Sequence, residues 1–161
     1  ANTAQRGRRI LTMVTDDNGA EKPVKSVAIG NYLLYRLIYA SETVGSTGAS
    51  TLSVAQILGV SERNNRRDDI TSGVMLHDGW CLHAIEGRRV DVDRLMRRLR
   101  EDRRLDNIRV LVDRPIAERR FSEPMSLCDN PKAMLKAVGL PELARITRYE
   151  AERIVALKQA A

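Results

Sequence analysis

A hairpin over residues 70–85 limits the possible folds of this chain more than any other stretch does. Two apolar runs, Ile70–Leu76 and Trp80–Ile85, flank an Asp78-Gly79 pair. Such a pair tolerates the positive backbone angles that a short hairpin turn needs, so the pattern predicts two antiparallel strands. Alternation along the second strand places every other side chain on one face, and that face carries Cys81, His83 and Ile85.

The segments around the hairpin alternate between the periods of strands and helices. Their order is strand, helix, strand, strand, helix, strand, strand, which predicts an α+β, ferredoxin-like βαββαββ fold. In that fold a five-stranded mixed sheet carries two helices on one face, with C-terminal helices added. Besides the hairpin, the predicted elements are a strand from Tyr32, a helix that starts at Ser50 and ends within residues 61–69, a helix over Val90–Asp102, and strands over Asn107–Val112 and Arg119–Leu127 with Pro115 in the link.

The chain divides into three predicted regions. Residues 1–30 join the basic cluster Arg6–Arg9 to a turn-rich stretch without sustained periodicity, and predict a flexible N-terminal arm. Residues 31–128 form the folded domain. Residues 129–161 form a C-terminal helical extension, with one helix over 131–138, started by Asn130 and Pro131, and another over 141–158. The apolar side of the second helix either covers the open sheet face or pairs with a second copy of the chain.

Charge and cysteine content narrow the class of protein. The net charge of +6 arises from 27 Lys and Arg against 21 Asp and Glu, and most arginines stand at helical spacing among acids, as on solvated helix faces. A nucleic-acid partner is therefore disfavoured, and stays open only through the basic N-terminal arm. The two cysteines lack metal-ligand spacing, so we expect a cytoplasmic protein without a metal site. No apolar run is long enough to cross a membrane, so no membrane partner is expected.

The residues alone leave two constellations open. Cys81 and His83 share a strand face, which suits either a thiolate–imidazole dyad or a plain interior lining, and no orienting group favours the dyad. Asn64 and Asn65 stand at the end of the first helix, where they either cap it or offer paired amides to a flat heterocycle. The apolar walls of such a pocket would be Ile57 and Val74.

The chain from Tyr32 to Cys128 resembles the BLUF domain, a blue-light sensor that binds a flavin, usually FAD, without a covalent bond. The matching segments are YRLIYAS, ILGVSERNN, ITSGVMLHDGWCLHAIEG, LREDRRLDNI and PIAERRF. The resemblance implies a photoreceptor that is not an enzyme, with FAD as its cofactor and FMN possible. It also implies output through the C-terminal helices, to a downstream regulatory protein or within a homo-oligomer.

The resemblance also implies roles for single residues. The photoactive tyrosine of the family falls on Tyr39, and its flavin-ring amides fall on Asn64 and Asn65. The other implied flavin contacts are Ile57 and Ser61 on the first helix and Val74 as the apolar wall. Asp102 and Arg104 fall near the ribityl and phosphate part. His83 stands at the signalling position, and Met125 joins Tyr39 and His83 as a photoactive candidate.

Two departures from the family pattern bear on the photochemistry. His83 stands where the family carries a glutamine, and a tryptophan is missing because Phe121–Met125 (FSEPM) is one residue shorter and contains Pro124. An amide presents either a carbonyl or an NH₂ group from one position, whereas a neutral imidazole has one donor and one acceptor. We therefore expect altered photochemistry.

Three functions are compatible with the sequence. The first is a BLUF-type flavin-binding blue-light receptor with His83 in place of the glutamine. The second is a degenerate BLUF-like interaction or regulatory module with weak or no flavin binding. The third is an enzyme or nucleic-acid module on the same fold, which is disfavoured because no phosphate-binding loop motif is present.

Overall fold

The structure, a computed structural model, describes residues 13–15, 21–23, 33–43 and 62–157. The chain forms two compact units, Ala1–Tyr32 and Leu33–Ala161. In the first unit β1 (Met13–Thr15) pairs antiparallel with β2 (Glu21–Pro23). The second unit carries every residue of the candidate site.

The second unit is built on a mixed sheet. Its described elements are β3 (Leu34–Thr43), the helical residues 62–67 (α1), β4 (Thr71–His77), β5 (Trp80–Arg88), α2 (Arg89–Glu101), β6 (Leu105–Ile116), β7 (Ser126–Leu127), α3 (Pro131–Ala137), a 3-10 turn at Leu143–Arg145, and α4 (Arg148–Leu157). The strand order is β6-β3-β5-β4-β7, antiparallel throughout except that β7 runs parallel to β4. This five-stranded mixed sheet with its helices confirms the predicted ferredoxin-like α+β fold.

The predicted hairpin turn is present between β4 and β5. Asp78 and Gly79 both have positive φ, 48° and 75°, as a two-residue type I′ turn requires. The turn fixes the register of the two strands, so that Val74 lies opposite His83. A slip of one residue would move His83 to the other face of the sheet.

The sheet packs side chains on both faces. On the first face the apolar residues of α2 meet the odd-numbered residues of β3, and on the second face the even-numbered residues of β3 meet the C-terminal helices. Buried residues of the first face and its helix are Leu37, Tyr39, Ile70, Ile85, Val92, Leu95, Met96 and Leu99. Those of the second face include Ile38, Ala40, Met75, Leu82, Ala84, Leu135, Leu143, Ile146, Ile154 and Val155.

The C-terminal helices therefore cover the second sheet face, which was one of the two roles expected for them. The start of α3 follows the predicted pattern, because the Asn130 side chain accepts a hydrogen bond from the Ala133 N–H at 3.1 Å and Pro131 occupies the first turn. The second tail helix starts later than predicted, at Arg148 instead of residue 141. The reason is a capping box: Glu150 at the third helical position accepts from the Thr147 N–H at 3.0 Å.

The fifth strand predicted over Arg119–Leu127 is wrong for most of its length, since only Ser126–Leu127 pair with β4. The N–H groups of Arg120 and Phe121 donate to the side chain of Glu86 instead of a neighbouring strand. A proline follows at residue 124 and has no N–H for a ladder.

Pro115 lies inside β6, opposite Tyr35, and the prediction that it falls in a link is wrong. As β6 is an edge strand, the missing N–H of Pro115 costs no ladder bond when it points away from β3. The helix predicted from Ser50 lies mostly outside the described residues. Its predicted end within 61–69 agrees with the helical residues 62–67, followed by a turn at 68–69.

Candidate functional site

A buried tyrosine and a buried histidine form the centre of the candidate site. Tyr39 on β3 and His83 on β5 are register partners on adjacent strands, and each side chain is 0% exposed. The Tyr39 hydroxyl lies 3.0 Å from His83 Nδ1, and the rings meet edge to face with centroids 5.3 Å apart. The alternation along β5 predicted His83 and Ile85 on one face. The structure confirms this, since both lie on the first face of the sheet, which α2 covers.

Burial keeps both rings neutral. It lowers the pKa of His83 to about 3, and it raises the pKa of Tyr39 well above 10, helped by the nearby Cys81 and Asp102. A neutral imidazole has one N–H and one bare nitrogen. When Tyr39 donates its proton to Nδ1, the second ring nitrogen, Nε2, therefore carries the N–H.

Several buried polar atoms lack hydrogen-bond partners within the described part of the chain, and two of them belong to residues that the sequence predicted for the site. They are His83 Nε2 and the Oδ1 of Asn65, a side chain that is fully buried at the end of α1. The Asn65 amide donates from Nδ2 to the Pro124 carbonyl at 3.2 Å, and Ser72 donates to the same carbonyl at 2.7 Å. Because an unpaired buried polar group costs about 1–3 kcal/mol, these atoms are ready to bind a ligand.

An apolar wall connects the two polar groups. Val74 lies beside His83 and packs with Cys81, Leu76 and Met125 on the same side of the sheet. The residue before Met125 is Pro124, whose carbonyl binds Asn65, so this wall runs from His83 towards the end of α1. The structure thus brings together Tyr39, Asn65, Val74, His83 and Met125.

The alternative of a nucleophilic Cys81–His83 dyad is not supported. Burial raises the pKa of the Cys81 thiol to about 12, which keeps it protonated. The Nδ1 of His83 is engaged by the Tyr39 hydroxyl. In the described part of the chain there is also no cluster of His, Cys, Asp and Glu that would hold a metal ion.

Asp102 and Arg104 bind each other at the C-terminal end of α2. The guanidinium forms two hydrogen bonds of 2.9 Å to the carboxylate, and the Arg104 N–H adds a third of 3.0 Å. The hydrogen bonds from Arg104 lower the pKa of Asp102. The Arg104 side chain is 51% exposed and the Asp102 side chain 18%, a placement that suits the polar end of a ligand more than its ring. Asn64 is half-buried, and the predicted contacts Ile57 and Ser61 lie outside the described residues.

Sequence reasoning missed Arg98. The Nη2 of Arg98 is buried without a hydrogen bond among the described residues, with the Asp68 carboxylate 3.8 Å away. Arg94 also approaches that carboxylate, at 3.9 Å. The signal in the sequence is the four-residue spacing of Arg94 and Arg98, which puts two cations on one side of α2. Arg98 Nη2 is thus a third buried polar atom without a hydrogen bond among the described residues, and it lies on α2, the helix that covers the first sheet face.

These observations fit a flat heterocycle with polar edges. His83 Nε2, Asn65 Oδ1 and Arg98 Nη2, which form no hydrogen bond among the described residues, offer hydrogen-bonding groups of both kinds, and Val74 and Met125 offer apolar surface. A flavin ring has this character, because its carbonyl groups accept hydrogen bonds and its ring N–H donates one. The donor set therefore suits a flavin.

Solved structures with the same fold include three informative ones. The photo-activated state of BlsA has 20% sequence identity and a TM-score of 0.69, covering 80% of this chain and 96% of that one. BlrB, a BLUF protein in its dark state, has 23% identity and a TM-score of 0.67, covering 80% and 98%. A bacterial light-regulated adenylyl cyclase has 25% identity and a TM-score of 0.58, covering 79% of this chain but 34% of that chain. Among curated proteins, no sequence matches the chain.

The five-stranded mixed sheet and the buried Tyr39–His83 pair define a small α+β domain with a hydrogen-bonded polar pair on one face of its sheet. The family model for BLUF, described as sensors of blue-light using FAD, matches residues 34–126. The chain belongs to the BLUF family. Among its described residues, no helix is both long enough and apolar enough to span a bilayer.

Proposed function

We propose that this chain is a blue-light receptor that binds FAD on the first face of its sheet, the face that α2 covers, and uses Tyr39 and His83 as its photoactive pair. The buried Tyr39–His83 hydrogen bond carries the proposal, because its far nitrogen, His83 Nε2, has no partner in the described residues. That nitrogen is the group that would meet the cofactor.

The chain offers a set of residues for each part of the cofactor. Asn65 and Arg98 bind the polar edge of the ring through Asn65 Oδ1 and Arg98 Nη2, which form no hydrogen bond within the described part of the chain, and Asn64 lies next to Asn65 in the sequence. Val74 and Met125 contact the ring through their apolar groups. Asp102 and Arg104 bind the ribityl and phosphate part, and the family resemblance adds Ile57 and Ser61, which lie outside the described residues. When bound, the flavin supplies the ring that absorbs blue light and takes up an electron.

His83 changes the proton transfer compared with an amide. If Tyr39 gives its proton to Nδ1, His83 becomes an imidazolium with two N–H groups and no acceptor. Burial holds the pKa of His83 near 3, so the imidazolium returns this proton readily. We expect a light response that is short-lived, with a different band shift from that of a glutamine-containing domain.

The direct test is the absorption spectrum of the protein purified after expression with added flavin. A bound flavin band that shifts reversibly under blue light supports the proposal, and chromatography of the released cofactor separates FAD from FMN. A protein without flavin absorbance contradicts it. In the same assay His83→Gln is expected to give a longer-lived red shift. If this variant binds flavin but shows no red shift, the cause of the missing light response would lie in Phe121–Met125.

Output is proposed to pass through the C-terminal helices to a cytoplasmic regulatory partner or between copies in a homo-oligomer. The apolar residues of α4 are used on the sheet, but Tyr149 is 68% exposed on the same helix. Light scattering of the flavin-bound protein in darkness and under blue light tests the oligomer. A basic-arm contact with nucleic acid is a separate outcome, recognised by binding that weakens steeply with salt.

A second candidate function is a light-independent interaction module. It is favoured by one observation: Asp102 and Arg104 bind each other, and the Asn65 NH₂ group is bound to the Pro124 carbonyl, so several expected flavin contacts are partly satisfied within the chain. A reversible light-induced shift in the purified protein excludes this candidate.

A further inference from the structure

Glu86 is a fully buried carboxylate with both oxygens engaged. Its Oε2 accepts from Arg36 Nε at 3.0 Å and Nη2 at 2.6 Å, and its Oε1 accepts from the N–H groups of Arg120 at 2.7 Å and Phe121 at 2.9 Å. Burying a charge is costly unless it is paired and hydrogen-bonded. An amide cannot replace it fully, because only one end of an amide accepts.

The two backbone N–H groups belong to the irregular segment 117–125, which joins β6 to β7. Arg119 holds the same part of this segment, donating from Nη1 to the Thr71 hydroxyl at 2.8 Å and to the Glu86 carbonyl at 3.2 Å. The Phe121 ring then packs on Gly73, where an added Cβ would overlap the ring. The course of the segment is thus fixed from its first half by contacts with β4 and β5.

The second half of the segment reaches the candidate flavin site. Ser72 donates from its backbone to the Glu123 carbonyl at 3.1 Å and from its hydroxyl to the Pro124 carbonyl at 2.7 Å. Asn65 donates to the same Pro124 carbonyl. Met125 follows directly and packs against Val74. If the segment moved where it binds Glu86, two groups of the candidate site would move with it. They are the Pro124 carbonyl, which accepts from Asn65, and the Met125 side chain, which packs against Val74.

The other side of Glu86 leads to α4. Arg36 is the register partner of both Glu86 and Arg114, and its Nη1 lies 3.8 Å from Glu152 on α4. Glu152 is held mainly by Arg114, at 2.6 and 3.0 Å. Glu152 therefore provides a matched control. It belongs to the same charge cluster, but its hydrogen bonds and its ion pair with Arg36 join it to β3 and β6 and not to segment 117–125.

We propose that Glu86 is a positioning residue of the flavin site: by binding the Arg120 and Phe121 N–H groups it sets the placement of the Pro124 carbonyl and Met125. An effect of Glu86 on a flavin spectrum rests on the proposed function, whereas its effect on the placement of Pro124 and Met125 does not. The conservative substitution Glu86→Gln keeps the shape of the side chain and removes one set of acceptors.

The first measurement uses the flavin-free full chain and is independent of the proposed function. Amide hydrogen exchange over residues 119–127 is expected to accelerate about tenfold or more in Glu86→Gln, because a neutral amide that accepts at one end only replaces a charged acceptor that binds four donors. The NMR signals of the Asn65 side-chain NH₂ group and the Met125 methyl group are expected to shift. Glu152→Gln is expected to leave these signals and this exchange unchanged. Unchanged Asn65 and Met125 signals in Glu86→Gln would overturn the proposal.

The second measurement uses the flavin-bound protein. Glu86→Gln is expected to move the flavin absorption band or change the rate of dark recovery while flavin stays bound, and Glu152→Gln is expected to match the wild type. Equal spectra and recovery in wild type and Glu86→Gln would reduce Glu86 to a structural role. If neither the wild type nor the variants bind flavin, the proposed function fails. The first measurement, which is made without flavin, still tests the positioning role of Glu86. If Glu86→Gln does not fold, Arg36→Met/Glu86→Gln, which removes both buried charges, replaces it.

Discussion

His83 and the glutamine expected at this position in the family differ in their response to a proton. A glutamine reorients or tautomerises without taking a net charge, whereas a histidine that accepts a proton becomes a cation in an interior that disfavours charge. The 3.0 Å contact with Tyr39 places His83 Nδ1 within hydrogen-bond distance of the phenol, where it can accept the proton. The buried imidazole should therefore couple light absorption to a transient charge on β5.

The protonation of His83 predicts how stability depends on pH. Its pKa falls from 6.5 to about 3 on folding, so between these values the unfolded state binds more protons than the folded state and stability is lost as pH falls. At about 1.4 kcal/mol per pH unit, His83 costs the flavin-free protein about 2 kcal/mol between pH 6.5 and pH 5. Urea unfolding of wild type and His83→Gln at pH 7.5 and pH 5 measures this, because other groups cancel in the comparison. Parallel losses of stability in the two proteins would contradict the prediction.

Tyr39→Phe tests the phenol itself. The variant keeps the ring but removes the hydroxyl that binds His83 Nδ1, so we expect flavin to stay bound, the light-induced shift to disappear and stability to fall by about 1 kcal/mol. Tyr35→Phe is the control on the same strand. It also removes a hydroxyl, but it keeps the ring that lies 4.8 Å under the Arg89 guanidinium. A normal shift in Tyr39→Phe, or its loss in Tyr35→Phe, would assign the photochemistry elsewhere.

Single residues on the strands of the site were more predictable than those on its helices. The period of two placed His83, Cys81 and Ile85 on one face without reference to a fold. The role of Arg98 was not predictable in this way, because it depends on Asp68, which is 30 positions away and approaches only when α1 and α2 pack on the sheet. Spacing within one element is local information, whereas a partner on another element is tertiary information.

At the scale of elements, the segment before β7 shows where local pattern was insufficient. The apolar residues of Arg119–Leu127 are compatible with a strand, and no local signal shows that the Arg120 and Phe121 N–H groups bind the Glu86 carboxylate. That carboxylate lies 34 residues earlier, at the end of β5. The hairpin turn, in contrast, was predictable because Asp78 and Gly79 determine its geometry by themselves.

The helix α4 is an integral part of the core, and this predicts its mutational behaviour. Ile154 is 6% exposed in the cluster against the second sheet face, whereas Tyr149 on the same helix is 68% exposed. Ile154→Ala should destabilise the second unit by about 2–4 kcal/mol through transfer and cavity costs. Tyr149→Ala should change stability by less than about 1 kcal/mol. Chemical denaturation of both variants is the measurement, and similar stabilities would show that α4 packs only loosely.

In the second unit as a whole, one sheet separates the proposed photoactive pair, Tyr39 and His83, from the C-terminal helices. Tyr39 and His83 point to the α2 side, while their neighbours Ile38 and Leu82 pack with α3 and α4. Because interiors are close-packed, a shift of β3 or β5 on one side must be accommodated on the other. The sheet itself therefore connects a charge at His83 to the helices proposed for output.

This connection predicts a light-dependent change in α4. In the flavin-bound protein, amide exchange of Ile154 and Val155 is expected to differ between darkness and continuous blue light by a factor of about 2–5, as for a change of about 0.4–1 kcal/mol in local opening. Tyr39→Phe, which keeps α4 and its contacts with the sheet, should abolish the difference. A light effect confined to α1 and α2, with α4 exchange unchanged, would contradict transmission through the sheet. Because Leu82 and Ala84 flank His83 on β5 and face these helices, α4 should respond whenever β5 moves.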